Sequence, residues 1–498
     1  YNGEIYNFLE LKKELSILGW SFSSRSDTEV LLKGLIQWGT ELIPRLNGMF
    51  AFAFFDKQLN ELILARDRYG VKPLYYHHKD NLLLFGSEQK SILAHPDVNS
   101  VINKEALIEY FTFQNIFTNQ TLINDIKLFE PGHYMLLDLN KSNGNIKKIK
   151  YWDYLFQESD SKYSECEYIE ELNYLFEQAV SRQCVGDVEI GTYLSGGMDS
   201  GSITAVAAKK FPGIKSFTCG FDLSSASGIE LTFDERSTAE MLSGIFGTEH
   251  YEIILKAGDM ESSLKDLTWH LEEPRVGQSY PNLYAAKLAS RFVKVVLSGA
   301  GGDELFGGYP WRYYRTVNAQ NFEDYLEKYY LYWQRLLNDS QLSDVFSPLS
   351  DTLKNISTRD IFRGVFDSKS AKIKRPQDYI NQSLYFESKT FLHGLLVVED
   401  KLSMAYGLEN RVPFMDNDLV DFAMKCPVKY KLKNLSKVES INENHIRGKN
   451  SKFFQKSNDG KQILRKMMSK YIPSTITNAK KQGFSSPDSS WFKGESIE

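Results

Sequence analysis

Cysteine is scarce in this chain. There are four among 498 residues, Cys166, Cys184, Cys219 and Cys426, widely spaced and with no C-x-x-C pair. That argues against a disulfide framework and a structural zinc site, and it fits a reducing cytoplasm. A surplus of one charge is missing as well. The 59 Lys and Arg against 64 Asp and Glu leave a net charge of -5, so nothing points to nucleic acid as a partner. No apolar run approaches the ~20 residues of a membrane span, and the first residues do not read as a signal peptide. Tyr1 opens directly into patterned sequence and Glu498 closes without an obvious terminus, so the chain reads as a fragment lacking its true start and its true end. What remains is ordinary globular usage, 42% hydrophobic and 25% charged. The length leads one to expect two to four domains at roughly 150 residues each.

Against this background one stretch stands out, Tyr193-Leu-Ser-Gly-Gly-Met-Asp-Ser200. The run Val188 to Leu194 before it reads as a buried strand, and Ile203 to Lys210 after it as a helix. A strand, a glycine-rich turn and a helix start make an anion site. Glycine lets a ligand approach the backbone, and the first helical N–H groups lack internal partners. The hydroxyls of Ser195 and Ser200 add donors. Asp199 would repel phosphate, and it makes sense there if it holds a Mg²⁺ that the phosphates also bind. The turn lacks the Lys-Ser or Lys-Thr ending of a Walker A loop. Taken alone it also reads as a plain turn. Ser-Gly-Gly-X-Asp-Ser resembles the pyrophosphate loop of ATP pyrophosphatases, which cleave ATP between the α- and β-phosphates and form an adenylate.

Residues 1–155 read as a β-rich first domain. A helix pattern runs through Leu18, with apolar Leu11, Leu15 and Leu18. Ser26-Asp-Thr-Glu29 has N-cap chemistry ahead of a helix to Trp38. Strands are expected over Met49–Phe55, Leu62–Arg66, Leu74–Tyr76, Leu82–Phe85 and His133–Asp138. A polar stretch from about 140 to 170 marks the boundary, and the second domain is placed at 165–498. There strand and helix alternate, as in a doubly wound parallel sheet. Ser195, Cys219 and Ser298 are expected at carboxyl ends of strands, where such sheets bind ligands. Ser298-Gly-Ala-Gly-Gly-Asp-Glu304 is a second glycine-rich loop, and Asp303 joined with Asp199 suggests two carboxylates on Mg²⁺. Residues 310–395 turn aromatic and helical, which reads as helix packing. Near the end, Ala479-Lys-Lys-Gln-Gly-Phe-Ser485 sets two lysines beside a glycine. It reads equally as a phosphate-facing loop or a solvated one.

In the first domain, Asn2-Gly-Glu-Ile-Tyr-Asn7, Ser26-Asp-Thr-Glu29, Asn47-Gly-Met-Phe-Ala-Phe-Ala-Phe54 and Ala65-Arg-Asp-Arg-Tyr-Gly-Val-Lys-Pro-Leu-Tyr-Tyr76 resemble the glutaminase domain of class II glutamine amidotransferases. The second resembles the synthetase domain of glutamine-hydrolysing asparagine synthetases, its signature segments lying in order between Gly191 and Phe484. The resemblance implies an α/β chain. A truncated N-terminal-nucleophile hydrolase sandwich of α+β type would precede a doubly wound ATP-pyrophosphatase domain with added helices. It implies that Asn2 and Gly3 form an oxyanion hole and that, with them, Glu4 and Asp27 hold glutamine. The nucleophile would be an N-terminal cysteine upstream of Tyr1. None lies in residues 1–150, so the chain as given is not expected to hydrolyse glutamine. Tyr193, Leu194, Cys219, Ser298 and Gly299 would contact the adenylate part of ATP. Ser195, Gly196, Gly197, Asp199 and Ser200 would hold pyrophosphate, Asp199 and Asp303 Mg²⁺, and Lys481 the transition state. ATP and Mg²⁺ are the implied cofactors, small molecules the implied partners. A homodimer is left open, and in the intact enzyme ammonia would reach the second domain through a buried passage.

One position departs from that pattern. The family carries an acid after Ser298-Gly299, at the site of acyl-adenylate chemistry, and here Ala300 stands there. Alanine does no acid–base work. Either Glu272, Glu273, Glu399 or Asp400 substitutes, or the acceptor is not aspartate. Three readings follow: asparagine synthesis; the same chemistry on another carboxylate, such as a sugar acid or a lactam closure; and a non-catalytic amidotransferase-like protein. The retention of Asp199, Asp303 and Lys481 speaks against the third.

Overall fold

A computed structural model of the chain describes residues 1–140, 145–159, 163–224, 226, 230, 233–276, 279–366, 373, 375–435, 457–479 and 486–491. It separates into two compact units. One comprises Tyr1–Leu107 and Thr118–Tyr154, the other Ile108–Phe117 and Leu155–Glu498. Ile108–Phe117, inside the stretch read as the first domain, therefore counts with the second unit. Among the described residues no helix is long and apolar enough to cross a membrane.

The first unit stacks two antiparallel sheets. The larger contains β1 (Asn2–Ile5), β2 (Gly48–Asp56), β3 (Glu61–Arg66), β7 (His133–Asp138) and β8 (Asn145–Lys150), in the order β1-β2-β3-β7-β8. The smaller is β5 (Leu82–Gly86), β4 (Tyr75–Lys79) and β6 (Ile126–Leu128), with β4 central. Side chains alternate along β2, as the pleat requires. Phe50 and Phe52 join Leu11, Leu15, Val30, Leu31 and Leu35 from the helices Phe8–Ile17 and Asp27–Trp38. Ala51, between them, points into the core shared with Leu74, Tyr76 and Phe129. Leu18, one residue past its helix, is exposed rather than packed. Ser26 caps the second helix by accepting from the Thr28 N–H, the chemistry expected of that tetrapeptide.

The described residues of the second unit include a parallel sheet in the order β11-β10-β9-β12-β13: β9 (Ile190–Tyr193), β10 (Lys215–Phe221), β11 (Glu249–Leu255), β12 (Val295–Leu297) and β13 (Glu409–Arg411). The chain winds outward from β9 to β11, then returns to the other side of β9 as β12. The direction of winding therefore reverses between β9 and β12, the position at which open sheets of this kind form a ligand crevice beyond the strands' carboxyl ends. The long connection from β12 to β13 is helical. Its core includes Arg312 and Glu387 as a buried ion pair (3.1 Å) beneath Tyr309, Trp333 and Phe391.

Candidate functional site

The crevice of the second unit is lined by the loops that leave β9 and β12. The first enters the helix Met198–Lys210, whose N-cap is Gly197. Ser200 organises it. Its Oγ accepts from the Ser195 N–H (3.1 Å), lies 3.0 Å from Ser195 Oγ, and donates to the Gly197 carbonyl (3.3 Å). The two hydroxyls expected to meet phosphate are thus hydrogen-bonded to each other. Gly196 sits between them at φ 71°. Leu194 is buried, and its carbonyl accepts from Thr218 on β10. Tyr193 ends β9, and its phenol is shifted upward chiefly by burial. Cys219 lies within β10, in the core it shares with Phe221, Leu255 and Tyr280, and burial pushes its thiol up to about 12.

The loop after β12 comes directly against this helix start. A Cβ on Gly299 would lie 3.2 Å from both Asp199 Cβ and the Ser200 nitrogen, so the two loops approach tightly at this glycine. Ala300 follows, its N–H donating to Ser298 Oγ at 3.3 Å. Asp303 is buried at the start of the short helix Gly302–Phe306. The structure thereby brings Asp199 and Asp303 together, and between them lies a residue that the sequence did not single out. Lys461 Nζ is 2.5 Å from Asp199 Oδ2 and 2.6 Å from Asp303 Oδ1. Lys461 is 3% exposed and holds φ 56° in the turn before the helix Gln462–Met468. It stands 262 residues from Asp199, and a lone lysine before an apolar helix carries no spacing signal. Arg465, one turn on, donates to the carbonyls of Gly460, Thr477 and Ala479. Beside Asp303, Glu304 accepts from Tyr309, and burial followed by the Asp303 charge raises its carboxyl to about 7. Lys481 falls outside the described residues.

Asp199 and Asp303 suit a hard divalent cation shared with phosphates. Asp199 Oδ1 is buried with no hydrogen-bond partner among the described residues. Groups of three or more His, Cys, Asp or Glu able to cage a metal are absent among those residues. Mg²⁺ needs only one or two carboxylates when substrate phosphates complete its shell, so the pair fits that mode.

In the first unit, Asn2, Gly3 and Glu4 lie on β1 opposite Ala51, Phe50 and Met49. Gly3 has φ 144°, and a Cβ there would fall 2.0 Å from the Met49 carbonyl oxygen. Asp27 opens the helix Asp27–Trp38, and its Oδ2 accepts from the Ile5 N–H (3.0 Å) and the Tyr1 hydroxyl (2.5 Å). These bonds bring Asp27 beside the strand that carries the other three residues.

Residues 171–498 match the family model described as asparagine synthase, and residues 1–152 that described as glutamine amidotransferase domain. Glutamine-hydrolysing asparagine synthetase 1 of Bacillus subtilis is 31% identical over 526 residues, covering 99% of this chain and 76% of the relative. Asparagine synthetase 3 of the same organism is 33% identical over 456 residues, 87% of this chain and 70% of the relative. An amidase of Gibberella zeae is 24% identical over 556 residues, 98% of this chain and 77% of the relative.

Proposed function

Since the chain belongs to the asparagine synthase family of glutamine-dependent amidotransferases, we propose that it activates a carboxylate as an acyl-adenylate and converts it to an amide, with aspartate and asparagine as the pair to test first. The observation that carries this reading is the meeting of two glycine-rich loops at the reversal point of the sheet, with Asp199 and Asp303 converging between them. The acceptor carboxylate attacks the α-phosphorus of ATP, and the bond to the departing pyrophosphate breaks. N–H groups at the start of the helix Met198–Lys210, with Ser195 and Ser200, would receive the pyrophosphate. Tyr193, Leu194, Cys219, Ser298 and Gly299 would line the adenylate, and Lys481 would offset charge in the transition state. Asp199 and Asp303 would hold Mg²⁺, which neutralises phosphate charge when bound. Ammonia then displaces AMP. In the first unit Asn2 and Gly3 would polarise the glutamine amide, and Glu4 and Asp27 would hold its ammonium.

Ala300 favours a second reading, in which the same steps act on another carboxylate. A relative whose name is amidase is in keeping with that. Both are tested by supplying ATP, Mg²⁺ and ammonium and following pyrophosphate with and without aspartate. Aspartate-dependent release with asparagine formed supports the first reading. Release with a different carboxylate supports the second. Asp199→Ala is expected to cut release by at least about 100-fold, and full release by that variant would sink the metal-site assignment.

A further inference from the structure

Four carboxylates, Glu272, Glu273, Glu399 and Asp400, are candidates to take over from Ala300, and their partners separate them. Glu272 is paired with Lys401 at 2.5 Å, and Glu273 with Arg275 at 2.5 Å. Asp400 is 1% exposed. Glu399 differs from all three. Its Oε2 accepts from Ser298 Oγ (2.9 Å) and from Asn410 Nδ2 (2.8 Å), a hydroxyl and an amide and, among the described residues, no cation. Among the described residues its Oε1 has no hydrogen-bond partner, and the side chain keeps partial access to solvent. The Ser298 hydroxyl that donates to Glu399 accepts in turn from the Ala300 N–H at 3.3 Å. One hydroxyl thus separates this carboxylate from the position where the acid is missing.

We propose that Glu399 is the acid–base residue of amide formation, reaching the reacting carbon from the helix His393–Met404 in place of a side chain at position 300. The inference rests on the adenylating function proposed above. Ammonia adds to the acyl carbon and its nitrogen becomes positive. Glu399 takes one proton from that nitrogen, the carbon–oxygen bond to AMP breaks with its electron pair leaving on the phosphate, and the amide forms. The oxygen tied to Ser298 and Asn410 fixes the carboxyl, and the other is open to accept the proton.

Its surroundings suit a base of moderate strength. Burial raises the Glu399 carboxyl, opposed by the hydrogen bonds from Ser298 and Asn410. From β9 the phenol of Tyr193, bonded to Ser403, feels its charge. On its own helix Lys401 is engaged by Glu272 and Asp400 is buried; on β13, Arg411 Nε is paired with Glu409 at 2.6 Å. Among the described residues no cation pairs with the carboxyl, and ammonia-dependent turnover should rise with pH through the Glu399 titration.

The test separates the two steps. Glu399→Gln keeps an oxygen that can accept from Ser298, so the loop retains its anchor. Exchange of labelled pyrophosphate into ATP reads adenylation, and AMP with amide reads the second step. Aspartate serves first as acceptor, followed, where wild type is silent, by a set of amino-acid and sugar-acid carboxylates. Expected is exchange within about threefold of wild type, amide formation lower by about 100-fold, and loss of the acidic limb of its pH profile. Adding Ala300→Glu to Glu399→Gln should recover at least about tenfold of the lost rate. An equal fall in both steps, or unchanged amide formation, overturns the assignment. Absence of exchange by folded wild-type protein with every carboxylate overturns the proposed function instead, and Glu399's role with it.

Discussion

Lys461 supplies the positive charge that lets the buried Asp303 and the half-buried Asp199 face each other, since its Nζ touches both. Removing it leaves like charges together in a partly desolvated site, at a cost of about 3–5 kcal/mol. Lys461→Met should therefore melt well below wild type, and added Mg²⁺ should raise its melting temperature more than that of wild type. An equal Mg²⁺ effect on both proteins would show that the carboxylate pair does not take the ion. The residue-scale lesson is that Asp199 and Asp303 were legible because each sits in a glycine-rich loop after a strand. Lys461 was not, because no local pattern ties it to either. Glu399 was legible as one of four carboxylates, and the hydrogen bond from Ser298, 101 residues away, is what distinguishes it.

At the scale of elements, the segment after β3 folds around its own polar side chains. Asp67 accepts from the N–H groups of Phe50, Tyr69, Val71 and Lys72. Arg66, fully buried, donates to the carbonyls of Gly70, Lys72 and Phe129. Asp67→Ala strands several buried donors, each costing about 1–3 kcal/mol. Loss of at least about 3 kcal/mol is expected in urea unfolding of the first unit, and a loss under 1 kcal/mol would contradict this account. A second element-scale case is the short helix Val428–Lys431. Lys431 Nζ donates to the Ala423 carbonyl at 2.7 Å, and burial lowers its ammonium to about 8. The folded chain then binds fewer protons here than the unfolded chain between pH 8 and ~10.4, so this residue's contribution makes stability rise with pH across that window. The size is about 3 kcal/mol. Lys431→Met should be more stable than wild type below pH 8, with the difference shrinking toward pH 10.4; a pH-independent difference would refute it.

For the whole molecule, the division of the chain matters more than the site. Ile108–Phe117 belongs to the second unit. Phe113 meets Tyr330 and Phe362, Phe117 meets Trp333 and Phe386, and Asn115 Nδ2 donates to the Thr390 carbonyl at 3.0 Å. A chain cut to 165–498 loses these contacts, and the fully buried Phe113 alone is worth about 3–5 kcal/mol. The cut chain should aggregate or melt at least about 10 °C below the second unit's transition in the intact protein. Matching melting curves would show that the segment is dispensable.

The sequence by itself determined the two kinds of sheet, the strands β2, β3, β4, β5, β7 and β9, the helices Phe8–Ile17, Asp27–Trp38 and Met198–Lys210, and the two loops of the crevice. Such features follow from periodicity, caps and glycine placement within a few residues. Some local elements still escaped: the helices Lys104–Phe113 and Tyr280–Ala289 and the short strand β13. Tertiary structure alone decided which loops meet. It put Lys461 between Asp199 and Asp303, tied Glu399 to Ser298 beside Ala300, and counted Ile108–Phe117 with the second unit. Each of these is a contact between residues far apart in the chain. Such contacts are set by burial and charge pairing once the strands are ordered, and periodicity along the chain holds no record of them.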